Sequence, residues 1–143
     1  MSSNEYPDRP RVGVGAVVIK DGKVLLVKRG IPPNKGLWAI PGGSLKLGET
    51  LQTGAEREIL EETGITIRTG APFYSFDFIQ RDGSGRVHFH YVIVDMMGDY
   101  IKGEIKAADD AHDARWVLPE ELGDLEVSQN TLKILKYIKF IAD

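Results

Sequence analysis

A chain of 143 residues is long enough for one domain with a core of its own, and its formal net charge of -3 argues against a general nucleic-acid binder. The absence of cysteine excludes disulfides, zinc-thiolate centres and thiol nucleophiles. No apolar run approaches the roughly 20 residues of a membrane span, so neither a membrane nor a nucleic acid is an expected partner, whereas a small phosphorylated ligand, served by local lysines and arginines, fits.

Residues 1–10, MSSNEYPDRP, are polar, lack the apolar centre of a signal peptide and read as a loose tail before one domain over 11–143. A cytoplasmic protein is expected. Val12 to Lys20 is rich in β-branched residues and reads as a strand; Asp21-Gly22 is a two-residue hairpin signal, with Lys23 to Lys28 returning. Gly30 to Gly36 is a loop, and Leu37 to Ile40 a short strand stopped by Pro41-Gly42-Gly43. Thr50 to Glu62 is helical, with Leu51, Ala55 and Ile59 as its apolar stripe, Thr50 as N-cap and Gly64 as the left-handed terminator. Gly54 inside this helix costs about 1 kcal/mol against alanine, and the sequence offers no reason for it. Ile65 to Arg68 is extended. Phe73 to Gln80 and Arg86 to Met96 are strands joined by a second hairpin at Asp82-Gly-Ser-Gly85. Trp116-Val117 is a short strand, Pro119 to Leu122 a turn of helix, and Ser128 caps a last helix carrying Leu132, Leu135, Ile138 and Ile141. This alternation suggests an α/β layered domain.

The helix at Thr50 carries the chemistry. Glu58, Glu61 and Glu62 stand at i, i+3 and i+4, so their carboxylates crowd one face, and Glu49 can fold back toward them. Like charges so placed repel by roughly 0.2–0.5 kcal/mol per pair, and a divalent cation reverses that sign. Oxygen-only ligands suit a hard ion, Mg2+ or Mn2+. Arg57 can orient one carboxylate through a bidentate pair. The plainer reading is a solvated acidic helix face. That reading explains neither the spacing of Gly43 and Glu49 nor the Pro41-Gly42-Gly43 turn.

From Gly43 the sequence runs GSLKLGETLQTGAEREILEETGI to Ile65. It resembles the Nudix box, G-x5-E-x7-R-E-U-x-E-E-x-G-U with U aliphatic, at every position. The stretch Val12 to Ile65, with Leu25 to Arg29 and Gly36 to Gly43, and the segment Asp109 to Val117 are similar to the short Nudix proteins often called ADP-ribose pyrophosphatases. The resemblance implies an α/β/α sandwich around a mixed sheet and a magnesium-dependent hydrolase that cuts pyrophosphate bonds. Carried onto this chain, it makes Glu58 and Glu62 metal ligands, then Glu61, with the backbone carbonyl of Gly42 as a further one. An acidic residue from a later loop completes the set; Asp110 fits that place, with Asp109 and Glu104 as competitors. Glu61 and Glu58 are candidates for the general base, alongside an acidic residue in the 104–110 region, while Arg57 and Glu49 complete the box.

Other residues are candidates for substrate. Lys28 and Arg29 end a strand and offer phosphate binding, or simply a solvated strand end. Trp38 can pack a purine, although a mostly apolar strand favours the core. Phe76 and Phe78 share one strand face, which can stack a base, fill the core or meet a second copy of the chain, so a homodimer is compatible with the sequence. His88 and His90 lack a third metal ligand. The expected activity is hydrolysis of ADP-ribose to AMP and ribose 5-phosphate. A sanitising nucleoside triphosphate pyrophosphohydrolase is the alternative, and a catalytically silent nucleotide sensor a third reading.

Overall fold

Two strands, β1 (Arg11–Lys20) and β2 (Lys23–Arg29), meet at Asp21 and Gly22, whose φ angles of 53° and 76° suit the two-residue turn expected there. The computed structural model describes residues 4–143. The chain continues through β3 (Trp38–Ala39), β4 (Gly42–Ser44), α1 (Leu51–Thr63), β5 (Thr66–Arg81), β6 (Val87–Lys102) and β7 (Ala111–Val117). A 3-10 turn at Pro119–Asp124 precedes α2 (Gln129–Tyr137).

The strands form one sheet in the order β3-β2-β1-β6-β5, with β4 added on β1 and β7 on β2. β1 runs parallel to β6 and every other pair is antiparallel, so the sheet is mixed. Side chains alternate between faces along a strand. Val14, Ala16 and Val18 of β1, with Leu25 and Met96, pack against Ala55 and Ile59 of α1. Val17, with Val24 and Leu26, packs against Ile134 and Leu135 of α2. One helix therefore covers each face, which is the α/β/α sandwich expected. Among the described residues no helix is long and apolar enough to cross a membrane.

Several boundaries differ from the sequence reading. The expected segments 65–68, from Thr66 on, and 73–80 belong to one strand, β5, whose register shifts around Thr69, Pro72 and Tyr74. Proline has no N–H for the ladder, so Pro72 bulges the strand without ending it. β6 runs on to Lys102 because β5 offers it a partner along its whole length. β3 does end before Pro41, at Ala39, but Gly42 and Gly43 then start β4, paired with Gly15 and Val14. The last helix ends at Tyr137, four residues before Ile141, where Ile138 is the cap and Lys139 takes a φ of 63°. Residues 1–3 of the expected tail lie outside the described residues. Within 4–10, which hold no helix or strand, the Tyr6 N–H donates to the His88 carbonyl at 2.8 Å and its ring stacks on His88.

Candidate active site

The helix α1 is capped as its sequence demands. The Thr50 side chain accepts from the Thr53 N–H at 3.1 Å, and Gly64, with a φ of 76°, ends the helix by donating to the Leu60 carbonyl. Gly54 lies where α1 runs close to its surroundings: a Cβ there would sit 2.7 Å from Leu45 Cδ1 and 3.3 Å from Val14 Cγ2.

Arg57 organises the acidic cluster. Its Nε and Nη2 fork onto the two oxygens of Glu49 at 2.6 and 2.8 Å. Its Nη1 donates to Glu58 and Glu61, each at 2.9 Å, and Nη2 also reaches the Ser44 carbonyl at 3.1 Å. The guanidinium holds Glu49 down to about 2, helped by the Lys46 N–H, and it also lowers Glu61. Glu58 is raised instead, because burial outweighs the arginine. Glu61 shares Arg57 Nη1 with Glu58 but is absent from the cleft lining, and it also contacts Asp109, whose carboxyl is raised mainly by that contact.

Glu62 is only 5% exposed. Its Oε1 accepts from the Gly42 N–H at 3.0 Å, and burial, reinforced by Glu58, pushes it up to about 8. Glycine is required on both sides of this pair. A Cβ at Gly43 would overlap the Glu58 carboxylate, and one at Gly42 would run into the Val14 carbonyl. Glu58, Glu62, Asp110, Gly42 and Gly43 all line one cleft of about 260 Å³. Its donors are oxygen only, and Glu62 has no ion-pair partner among the described residues. That chemistry fits a hard divalent cation. Among the described residues no three acidic or histidine side chains already stand at metal-ligating spacing, so gripping an ion requires them to draw together.

The same cleft receives some of the other candidates and not the rest. Arg29 lines it, with Nε spent on the Pro33 carbonyl at 2.7 Å, and so do Phe76 and Phe78, both half-buried. Lys28 is exposed on β2 opposite Trp38 and Asp113, outside the lining. Trp38 is buried in the α2-side core, so it packs and does not face substrate. Glu104 and Asp109 are also absent from the lining, which leaves Asp110 as the acidic residue that the loop before β7 brings in.

A NUDIX domain model matches residues 9–138, nearly the whole chain. The chain is a Nudix hydrolase. It is 39% identical over 107 residues to the ADP-ribose pyrophosphatase of Methanocaldococcus jannaschii, a match covering 75% of this chain and 61% of that protein. The chain thus spans about three fifths of that relative's length. It is 32% identical to the nucleoside triphosphatase NudI of Escherichia coli over 139 residues, covering 90% of this chain and 96% of that one. Among solved structures, the MutT NUDIX hydrolase from Burkholderia pseudomallei superposes with a TM-score of 0.79 at 29% identity, covering 92% of this chain and all of that one.

This Nudix hydrolase also carries a buried acid in its cleft that sequence reasoning passed over. Asp95 of β6 is 2% exposed, and burial alone pushes its carboxyl up to about 7. The signal was present: a lone charge within the otherwise apolar run Tyr91 to Met97.

Proposed function

We propose that this Nudix pyrophosphohydrolase cuts ADP-ribose within its pyrophosphate bridge, yielding AMP and ribose 5-phosphate. The observation that carries the reaction is the continuous cleft from Glu58, Glu62 and Asp110 to the rings of Phe76 and Phe78. Phosphates lie at one end and a base at the other. Similarity to the Methanocaldococcus jannaschii ADP-ribose pyrophosphatase supports the substrate.

Glu58, Glu62 and Asp110 would hold Mg2+ or Mn2+. Such an ion, when bound, neutralises the bridging phosphates and lowers the pKa of water. The chain's own groups do the rest. Arg29 presents its remaining guanidinium nitrogens to a phosphate oxygen. Arg57 fixes Glu49, Glu58 and Glu61 so that the helix face is set before substrate arrives. A carboxylate of the cleft takes the proton of the attacking water. No covalent intermediate is involved. A cytoplasmic setting goes with this reading.

One observation favours a second reading. NudI aligns along 96% of its length, so a nucleoside triphosphate, cut to a monophosphate and pyrophosphate, is the rival substrate. The deciding experiment incubates the pure protein and Mg2+ with ADP-ribose, other nucleoside diphosphate derivatives and all common nucleoside triphosphates, and separates the products. AMP and ribose 5-phosphate, formed fastest, support the proposal. Faster pyrophosphate release from a triphosphate overturns the substrate. Inactivity on every compound points to a nucleotide sensor.

A further inference from the structure

The cleft has a floor that the reaction does not use. Tyr91, Ile93 and Asp95 alternate along β6 and therefore share one face of the sheet. On β5, Phe78 and Phe76 stand directly opposite Tyr91 and Ile93, so the same face carries their rings. On the other side of β6, β1 places Gly13 beside Ile93 and Gly15 beside Asp95. These two glycines leave a trough. A Cβ at Gly13 would lie 2.6 Å from Ile93 Cδ1, and one at Gly15 would lie 2.8 Å from Asp95 Oδ1 and 2.9 Å from the Pro41 carbonyl. The result is a slot with flat apolar walls and one carboxyl group at its end.

Asp95 has no hydrogen bond or ion pair among the described residues, although it is almost wholly buried. No buried side-chain oxygen among those residues is both sealed off and without a partner, so the Asp95 oxygens open into the cleft they line. Leaving such a group unpaired costs free energy. Burial raises its proton affinity. A buried acceptor at the end of an aromatic slot matches a planar ring with an N–H donor on its edge.

We propose that Asp95 reads the nucleobase of the substrate, accepting a hydrogen bond from its exocyclic amino group. This rests on the reading of the cleft as a nucleotide site and deepens it. Sugar hydroxyls are donors too, but the cleft that Asp95 lines is flanked by the rings of Phe76, Phe78 and Tyr91 and by Ile93, with Asn130 and Thr131 across from them, and the flat rings suit a base.

The test compares ADP-ribose with the same compound carrying unsubstituted purine, which lacks only the amino group. The wild-type enzyme should show a KM raised roughly ten- to a hundredfold for the analogue, with kcat little changed. Asp95→Leu should bring the two KM values within about threefold of each other. Asp95→Asn keeps an acceptor oxygen and should retain part of the preference. Equal KM values for the wild type overturn the proposal, as does full discrimination in Asp95→Leu. So does a preference that Asp95→Leu abolishes only between ADP-ribose and its 2′-deoxy counterpart, since Asp95 would then read the sugar. If Asp95→Leu fails to fold, the wild-type pair and Asp95→Asn decide. If the enzyme cuts triphosphates and spares ADP-ribose, the substrate reading fails. The same comparison is then made with ATP and purine riboside triphosphate, so Asp95 is judged separately.

Discussion

Asp95→Asn should make the protein more stable, and by an amount that depends on pH. The buried carboxyl titrates at about 7 in the folded chain against an ordinary value of 3.8. The folded state therefore binds the proton more tightly than the unfolded one, and stability falls as pH rises from about 4 to about 7. Each unit of difference is worth about 1.36 kcal/mol. The wild type should lose roughly 1 kcal/mol through this group by pH 4.5 and roughly 4 kcal/mol by pH 8. Asparagine keeps the shape and cannot ionise. The gain of the variant over wild type should thus grow by roughly 3 kcal/mol between those two pH values, a large part of the 5–15 kcal/mol that holds a domain together. Urea unfolding of both proteins in a chelating buffer, at pH 4.5 and pH 8, measures it. A gain equal at both pH values would refute the reasoning, because it would place the effect in packing.

Three further substitutions probe the reaction centre. Gly43→Ala puts a Cβ where the Glu58 carboxylate sits, so turnover should fall roughly a hundredfold while the melting temperature barely moves; unchanged turnover would free Glu58 of any role. Gly42→Ala instead meets backbone, the Val14 carbonyl and Gly15 Cα, and should lose about 1–3 kcal/mol of stability in urea titrations. Arg57→Lys keeps the charge and loses the fork on Glu49, whose contribution to stability is present above pH 4.5 and fades as pH falls toward 2. In that variant the Glu49 carboxyl, followed by NMR, should titrate nearer the ordinary glutamate value, and the protein should unfold at a less acidic pH.

Legibility tracked the kind of physics involved. The helix α1, its caps and the crowding of Glu58 and Glu62 were readable because they depend on spacing along a single element. Arg57 was readable as an orienting group, but its reach to Glu49, Glu58 and Glu61 together was not, since that depends on the loop folding back. Glu61 shows the limit of a helical wheel. It lies on the same stripe as its neighbours yet also contacts Asp109, a residue 48 positions away in sequence. Trp38 was ambiguous until α2 supplied the apolar surface that buries it. The merging of two expected strands into β5 could not be seen locally either. Gly70-Ala71-Pro72 has the composition of a break, and only the long partner β6 carries the pairing through it. Gly54 gained its reason from Leu45 and Val14, neither of which a helix pattern can place.

β5 closes one side of the sheet, so its outer backbone groups have no strand beside them among the described residues. Such an edge invites another chain to pair with it. Here the row of donors is broken around Pro72, where β5 carries the extra residues of a bulge; at Thr66 and Arg81 the extra residue lies on β6 instead. The longest regular stretch runs from Tyr74 to Gln80 and has Asp77 at its middle. A second strand laid along it would have to accommodate that charge on one face and would lose its register at the Pro72 end. The edge is thereby guarded against fibre-like stacking without any covering element, and the guard is the same proline bulge that lets β5 stay whole.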